Sequence, residues 1–335
     1  MISSEMRRMN SISQSAPVNR CVVYVTDPGF LVPSIVSARQ VLKQASGLAD
    51  VVVALNGFRD EDYARLSKLI SDLGLVPCVM PYVCSPDPRS FTGHVPPAAM
   101  ARLELPKYLP SVYQDILYMD GDTQIVGDIG ALLELTVPKG QVAAAPDSLW
   151  LGYATKARYP KDYLPGLGHV RESSYFNSGI LALSRETMDS VFPEALEFFL
   201  KNSEKCLYHD QSALNAVMAD RIVQLSPRYN FITDYIYLGV LNDADPAIIH
   251  FTGRPKPWIN AGWPWFNRFI KQYSALVDEF PELRPFAKVV APEYSSRIER
   301  GIEKTRRRYR MAFPITAYRR WRFISTLRRR GYFLN

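Results

Sequence analysis

The sequence is poor in cysteine, and its four cysteines form no recognisable metal-binding or redox pattern. Cys21, Cys78, Cys84 and Cys206 include no C-x-x-C pair, which is the spacing that structural zinc sites and dithiol redox motifs use. Cys21 begins an apolar run, where a small buried thiol is expected. The composition therefore disfavours structural zinc and a disulfide framework, and it fits a reducing cytoplasm.

Long apolar runs are also missing. A membrane-spanning helix needs roughly 20 apolar residues, whereas runs such as Asp50–Leu55 and Ser174–Leu183 are short and interrupted. Residues 1–20 carry charges at Glu5 and Arg7 but lack the continuous apolar core of a secretory signal peptide. We interpret residues 1–20 as a flexible leader, and we expect the protein to be cytoplasmic.

The excess of positive charge is unevenly distributed. Lys and Arg total 40 against 33 Asp and Glu, for a net charge of +7. Residues 297–335 contain twelve Arg and one Lys but only two Glu, a balance of +11, so residues 1–296 carry −4. A mildly acidic body with a basic tail argues against a uniformly basic nucleic-acid-binding surface. We therefore do not expect nucleic acid to be a partner.

Apolar runs alternate with helical periodicity in the first hundred residues, which predicts an α/β fold with βαβ units. The predicted strands are Cys21–Thr26, Val51–Leu55, Leu75–Met80, Asp115–Met119, Gln141–Ala145, Tyr175–Leu183 and Ala247–Phe251. The predicted helices are Pro33–Gln44, Glu61–Leu73, Pro97–Leu109, Met188–Leu200 and Asp210–Met218, and Ile270–Phe280 closes the globular part. The segment Trp150–Ser173 has no clear period, and such long insertions are more often functional or mobile than structural.

Two carboxylates follow the predicted strand Asp115–Met119. Asp120 and Asp122 flank Gly121, which allows the backbone to approach a ligand closely. In open α/β sheets the carboxyl ends of strands bind ligands, and carboxylate oxygens suit Mg²⁺ or Mn²⁺. An acidic turn held by Asx hydrogen bonds is the alternative. A calcium-binding EF-hand is excluded, because Ile125 stands where that loop requires glycine.

A histidine ends a later apolar strand, in the segment I-H-F-T-G-R-P-K-P-W from Ile249 to Trp258. His250 is a candidate third ligand for the same ion, and a mixed oxygen and nitrogen set favours Mn²⁺ over Mg²⁺. Gly253 would expose backbone N–H groups, and Lys256 would offer a charge to a phosphate. The alternative is a buried core histidine beside a turn that contains prolines. This alternative is less favoured because two separate candidates for metal ligands stand at strand ends.

These motifs together resemble glycosyltransferase family 8, retaining enzymes of the GT-A (Rossmann-like) fold that use nucleotide-sugars. The likeness covers most of residues 22–258, in the expected order. It implies an α/β fold with a mixed central sheet, in a glycosyltransferase domain over residues 21–290. It also implies that Asp120, Asp122 and His250 hold the metal, with Mn²⁺ as the cofactor and Mg²⁺ as the alternative.

The resemblance further implies a UDP-hexose donor and assigns roles around it. The implied donor-binding residues are Thr26, Asp27, Phe30, Arg102, Asp120, Gly121, Asn177, Asp210, Gly253 and Lys256. Phe30 stands near the place of a tyrosine that stacks on uracil, so it keeps the ring without the hydroxyl. Asp210 and Gln211 are the implied catalytic residues, with Gln211 near the anomeric carbon. Asp147 stands where the family often contacts the acceptor.

Three motifs that are typical of other enzyme classes are absent from the sequence. Gly166-Leu167-Gly168 does not complete G-x-G-x-x-G, and neither a P-loop nor G-x-S-x-G occurs. Because the sequence offers no obvious carboxylate nucleophile, we expect retention through front-face attack. The predicted acceptor is a glycan or glycolipid, by resemblance lipopolysaccharide or lipooligosaccharide core, and galactose and glucose remain equal candidates for the donor sugar. A non-catalytic sugar-nucleotide- or membrane-binding module is the alternative function.

Basic clusters alternate with aromatic residues in the C-terminal tail, residues 291–335. Beyond Pro314, an apolar stripe among arginines is formed by Tyr318, Trp321, Ile324 and Leu327. A helix of this kind can lie on an anionic membrane surface. We predict a peripheral anchor on the inner face of the plasma membrane. A disordered tail, a helix docked on the domain, and RNA binding are the alternatives.

Overall fold

Two β-sheets and their surrounding helices form the fold in a computed structural model, which describes residues 19–81, 97–151, 161–260, 262–265, 267–288, 292–311 and 313–329. The strands are β1 (Arg20–Thr26), β2 (Asp50–Asn56), β3 (Val76–Met80), β4 (Asp115–Met119), β5 (Thr123–Ile125), β6 (Val142–Pro146), β7 (Phe176–Ser184), β8 (Ile222–Gln224), β9 (Phe231–Ile232) and β10 (Ile248–His250). The α-helices are α1 (Leu31–Ala45), α2 (Asp60–Asp72), α3 (Gly130–Leu133), α4 (Tyr163–Gly166), α5 (Arg185–Lys201), α6 (His209–Met218), α7 (Thr233–Tyr237), α8 (Leu241–Ala244), α9 (Lys271–Glu279), α10 (Pro292–Met311) and α11 (Phe313–Arg329). The 3₁₀-helices are Pro97–Lys107, Ser148–Leu151, Ser203–Lys205, Pro227–Tyr229 and Pro281–Phe286.

The larger sheet is mixed and has the strand order β3-β2-β1-β4-β7-β6-β8. Strands β3, β2, β1 and β4 are parallel, whereas β7 runs antiparallel to β4 and β6. The chain fills one side of β1 with β2 and β3 and then places β4 on the other side. A crevice therefore lies beyond the carboxyl ends of β1 and β4, the position where open α/β sheets bind ligands.

The smaller sheet has the order β5-β10-β9. Strand β10 pairs antiparallel with β5 and parallel with β9. Only the segment Asp120–Asp122 connects β4 of the larger sheet with β5 of the smaller one. The acidic turn is thus the junction of the two sheets.

The larger sheet is buried on both faces, which explains its apolar strands. Strands β1 and β2 carry nearly continuous runs of buried, mostly apolar residues, as interior parallel strands require. Helices α1, α2 and α9 cover one face, and α5, α6 and the 3₁₀-helix Pro97–Lys107 cover the other. The sheet therefore lies between two helical layers and supports the crevice from both sides.

The predicted strands and helices match the structure to within a few residues, but one helix differs in type and several short elements, including α3, α7 and α8, were not predicted. The helix predicted over Pro97–Leu109 is a 3₁₀-helix that contains Pro106. Strands β5, β8 and β9, each three residues or shorter, were not predicted. The segment predicted as irregular, Trp150–Ser173, includes the last two residues of the 3₁₀-helix Ser148–Leu151 and all of α4, while its residues 152–160 lie outside the described residues. Residues 1–18 of the predicted leader also lie outside them.

The described cysteines are buried free thiols, as predicted for Cys21. Burial raises the pKa of Cys78 to about 11 and, together with the nearby Glu204, that of Cys206 to about 12. These thiols therefore stay protonated at neutral pH, which fits a role in packing.

Helix α11 packs on the domain instead of presenting one uniform apolar stripe. Phe323 and Leu327 are buried with Phe231 and Tyr235, and Phe323 lies 4.8 Å from the Tyr235 ring, centroid to centroid. Trp321, by contrast, is 58% exposed. The prediction that Tyr318, Trp321, Ile324 and Leu327 form one outward surface was wrong. Ile324 and Leu327 face the domain, whereas Tyr318 and Trp321 face outward. Within the described ranges, no helix combines the length and hydrophobicity needed to cross a membrane.

Candidate active site

The acidic turn and the predicted histidine meet because of the smaller sheet. In that sheet His250 of β10 pairs with Thr123 of β5, the residue after Asp122. The backbone N–H of Phe251 also donates to the carbonyl oxygen of Asp122 at 2.8 Å. Strand pairing therefore brings residues that are far apart in the sequence to one point at the crevice.

Asp120, Asp122 and His250 form a cluster in which one ligand atom from each lies within 4.8 Å of the others. His250 Nε2 lies 3.2 Å from Asp122 Oδ1 and 3.7 Å from Asp120 Oδ2. Lys256 Nζ lies 2.5 Å from the second oxygen of Asp122. Two carboxylates and an imidazole suit Mn²⁺ or Mg²⁺, so the residues present fit a divalent ion.

Asp122 remains ionised in this cluster. Burial on its own would raise the pKa of its carboxyl group, but the charges and hydrogen bonds of Lys256 and His250 outweigh burial and hold that pKa well below its ordinary range. An ionised, nearly buried carboxylate is an effective ligand for a cation. The electrostatics of the site therefore favour positive charge beside Asp122.

Two glycines allow the cluster to close. A Cβ atom on Gly179 of β7 would lie 2.1 Å from His250 Cε1 and 2.9 Å from Asp120 Oδ2. A Cβ atom on Gly121 would lie 2.0 Å from Ser34 Oγ on α1. These distances are shorter than real Cβ contacts, so a side chain at either position would force its neighbours to move. The predicted approach of Gly121 to a ligand is, in the structure, an approach to helix α1.

Arg102 connects the metal cluster to the predicted catalytic residues. Its Nη1 lies 3.4 Å from Asp120 Oδ1 and donates to the carbonyl oxygen of Ser178 at 2.7 Å. Its Nη2 forms an ion pair with Asp210. Tyr118, over whose ring the guanidinium lies, donates its hydroxyl to Asp120 Oδ1 at 2.7 Å. Asp120 is thus held through one carboxylate oxygen, while the other faces His250.

Asp210 and Gln211 lie in the first turn of α6, which begins with a strained residue. His209 has a φ of +48°, a left-handed conformation that costs energy for a residue other than glycine. Gln211 Oε1 accepts from Asn177 Nδ2 at 3.0 Å, and Gln211 Nε2 donates to Asp147 Oδ2 at 3.3 Å. The structure therefore brings together the predicted catalytic Gln211, the predicted donor-binding Asn177 and the predicted acceptor-side Asp147.

The predicted base-binding residues lie at the carboxyl end of β1. Asp27 Oδ1 accepts from the backbone N–H of Phe30 at 2.9 Å, which closes the turn, and Thr26 is buried beside it. Lys256 Nζ lies 5.8 Å from the centre of the Phe30 ring. Gly253, with a φ of +69°, forms the turn three residues before Lys256. The half-buried Phe30 ring and the Lys256 cation thus stand side by side at the crevice.

Three residues of the site were missed from the sequence. Tyr118 donates to Asp120, Tyr175 accepts a hydrogen bond from Gln211, and the side-chain oxygen of Asn230 lies 2.9 Å from His250 Nδ1. Tyr118 and Tyr175 lie in or beside apolar strand patterns that predict core residues. Asn230 follows the turn Pro227–Tyr229, a position typical of a loop. Its complete burial was the signal of a role, and burial is visible only in the structure.

A protein-family model supports this geometry. Residues 21–262 match the model described as Glycosyl transferase family 8. The matched range contains the acidic turn, the Asn177 strand, the start of α6 and His250.

Relatives and a solved structure agree with the family model. The chain is 27% identical to General stress protein A of Bacillus subtilis over 202 residues, covering 55% of this chain and 67% of that protein. It is also 27% identical to Lipopolysaccharide 1,3-galactosyltransferase of Salmonella typhimurium over 188 residues. That alignment covers 53% of this chain and 54%, or about half, of the relative. The crystal structure of galactosyltransferase LgtC with donor and acceptor sugar analogs superposes with a TM-score of 0.60 at 18% identity, over 82% of this chain and 99% of that one. This likeness shows a shared GT-A fold.

Proposed function

The chain belongs to glycosyltransferase family 8, and we propose that it transfers galactose or glucose from a UDP-sugar to a glycan acceptor with retention of the anomeric configuration. The observation that carries the proposal is the convergence of Asp120, Asp122 and His250 beside Lys256 at the crevice beyond the carboxyl ends of β1 and β4. A divalent ion and a lysine at this place match the charge of a nucleoside diphosphate. The lipopolysaccharide galactosyltransferase among the relatives supports a hexose donor.

The base, the diphosphate and the hexose of the donor each have residues that suit them. Phe30 offers a ring to the base, in reach of the Lys256 cation. The diphosphate lies between Lys256, the turn at Gly253 and the metal ligands. The hexose then points toward Asn177 and Asp210, where amide and carboxylate oxygens suit sugar hydroxyls.

The charges that develop during sugar transfer explain the roles of these residues. Departure of the diphosphate puts negative charge on the leaving phosphate and oxocarbenium character on the sugar. A bound divalent ion supplies positive charge to that phosphate, and Lys256 adds more. Asp210 is ion-paired with Arg102 and Gln211 is a neutral amide, so neither suits nucleophilic attack. The acceptor hydroxyl therefore enters on the face that the diphosphate leaves, and the leaving phosphate accepts its proton. A trapped glycosyl–Asp210 adduct would contradict this route.

The test of the proposed function is a screen of UDP-sugars for Mn²⁺-dependent hydrolysis, followed by transfer to lipopolysaccharide core oligosaccharide. We expect turnover of UDP-galactose or UDP-glucose, and we expect Asp122→Ala to abolish it because a metal ligand is lost. Asp72→Ala, which removes an exposed carboxylate on α2, is the matched control. UDP binding without turnover would instead indicate a non-catalytic sugar-nucleotide-binding module, and full activity of Asp122→Ala would overturn the metal assignment.

The acceptor is proposed to reach the enzyme at an anionic membrane surface on the cytoplasmic side. Met311, Ile315, Tyr318 and Trp321 are all more than half exposed on α10 and α11, among arginines. This outward face differs from the stripe predicted from the sequence, but it has the same chemistry. Each basic residue near an anionic surface contributes about 1 kcal/mol, and aromatic residues favour the headgroup region.

Sedimentation with vesicles tests this anchoring. We expect binding to vesicles of phosphatidylglycerol and phosphatidylcholine but not to phosphatidylcholine alone, and weaker binding of the double variant Tyr318→Ser/Trp321→Ser. Leu200→Ser removes an equally exposed apolar residue from α5 and serves as the control. Equal sedimentation of all three proteins would refute anchoring through this face.

A further inference from the structure

A chain of buried hydrogen bonds connects the metal ligand His250 with the predicted catalytic Gln211. His250 Nδ1 lies 2.9 Å from Asn230 Oδ1, and Asn230 Nδ2 lies 2.9 Å from Asn177 Oδ1. Asn177 Nδ2 in turn lies 3.0 Å from Gln211 Oε1. Asn230 is completely buried, and His250 and Asn177 are at most 6% exposed. Of these four residues, Asn230 is the one without an assigned role.

Two backbone groups determine the direction of every hydrogen bond in the chain. The N–H of Gly179 points at Asn177 Oδ1 at 3.1 Å, and the N–H of Ser178 points at Gln211 Oε1 at 3.2 Å. A backbone N–H can only donate, so both side-chain atoms that face these groups must be oxygens. The remaining amide nitrogen of Gln211 then faces the carboxylate of Asp147, which can only accept when ionised.

The same logic decides the protonation of His250. Because Asn177 Oδ1 is an oxygen, Asn230 must donate to it through Nδ2 and must present its own oxygen to the imidazole. His250 Nδ1 therefore carries a proton and donates to Asn230 Oδ1, which leaves Nε2 as the nitrogen available to a metal ion. Nε2 is the nitrogen that faces Asp120 and Asp122. A ligating histidine is commonly oriented by such a hydrogen bond from its other nitrogen.

We propose that Asn230 is a positioning residue with two separable tasks. Its oxygen fixes the tautomer of His250 for metal binding, and its amide N–H fixes Asn177 and, through it, Gln211 for hexose transfer. Asn230 thus couples the diphosphate end of the site to the transfer end. The second task rests on the proposed glycosyltransferase function, whereas the first depends only on the metal site.

Two substitutions separate the tasks. Asn230→Asp keeps an oxygen toward His250 but removes the N–H toward Asn177. We expect its Mn²⁺ affinity, measured by calorimetry, to stay within about threefold of wild type, and its kcat for transfer to fall about 100-fold with little change in KM for the donor. Asn230→Ala removes both groups, and we expect it to lower Mn²⁺ affinity by about 10- to 100-fold as well. Asn56→Asp, at a buried asparagine on β2 that donates to Met80, controls for placing a carboxylate in the interior.

The tautomer gives a readout that a merely structural residue would not change. The chain has four histidines, so ¹⁵N spectra of metal-free protein at about pH 8.5, where free imidazole is neutral, are assignable with His250→Gln. We expect the signal of a hydrogen-bonded Nδ1–H of His250 in wild type and the loss of that hydrogen bond in Asn230→Ala. An unchanged Nδ1–H signal in Asn230→Ala, or equal loss of Mn²⁺ affinity and transfer in both variants, would overturn the proposal. If wild type turns over no UDP-sugar, the proposed function fails, but the calorimetric and spectroscopic measurements still decide the role toward His250.

Discussion

The metal corner, made of Asp120, Asp122, Gly179, His250 and Lys256, and helix α11 are built in opposite ways. In the metal corner, residues from three distant segments meet through individual contacts of 2.5 to 3.7 Å, and one added Cβ atom would break the arrangement. Helix α11 is one continuous segment whose position depends on apolar area on one face. Substitutions should therefore act on function at the metal corner and on stability at α11.

The largest effect is expected from Phe323→Ala. The Phe323 ring is completely buried against Phe231 and Tyr235, and removal of such a ring costs about 3–5 kcal/mol in the free energy of unfolding. Urea unfolding measures this value, with Trp321→Ala as an exposed control that should stay within about 0.5 kcal/mol. If Phe323→Ala instead abolished Mn²⁺ binding in the folded protein, the division between the two regions would fail.

Gly179→Ala should reverse that pattern. The added Cβ would overlap His250 and Asp120, so we expect Mn²⁺ affinity to fall by about 100-fold, measured by calorimetry. Gly301→Ala adds the same atom on α10 where nothing lies within 4 Å, and it should leave Mn²⁺ affinity unchanged. Wild-type affinity in Gly179→Ala would show that the cluster is looser than its distances indicate.

Tyr118→Phe sharpens the comparison within the metal corner. The variant keeps the ring under Arg102 and removes only the hydroxyl that holds Asp120 Oδ1. We expect a loss of about tenfold in Mn²⁺ affinity, since partners of metal ligands typically contribute that much. Tyr113→Phe removes a similar tyrosine–carboxylate hydrogen bond, to Asp50 at 2.8 Å, away from the cluster. Equal effects of the two variants on Mn²⁺ affinity would contradict a local role for Tyr118.

The smallest effect is expected from Arg320→Ala on α11. Arg320 pairs with Asp243 at 2.7 Å, but both side chains are more than a third exposed. Solvent screening limits such pairs to about 0.2–1 kcal/mol. Thermal unfolding at low and high salt measures the contribution, which should disappear at high salt because mobile ions screen the pair. A loss above 2 kcal/mol would mean that charge, and not Phe323, holds the helix.

Much of the fold followed from local patterns, and the exceptions have a common cause. Strands β1, β2, β4 and β7 were predictable because each contains an apolar run of at least four residues. Strands β5 and β9 are two or three residues long, too short to show a period, yet they determine where His250 lies. The phase of α11 was misjudged for a related reason. Periodicity shows that a helix has an apolar side, but Phe323 and Trp321 are both aromatic, and only the partner surface decides which is buried.

The sequence by itself determined the α/β class, the acidic turn with its later histidine, and the charge division between body and tail, because these depend on residue type and spacing along the chain. The tertiary structure alone decided that the acidic turn joins two sheets, that Gly179 makes room for His250, and that Asn230 directs the hydrogen bonds from His250 to Gln211. Those features depend on distances between segments that are 20 or more residues apart in the sequence. Such distances are set by strand pairing and packing, which no local pattern of side chains encodes.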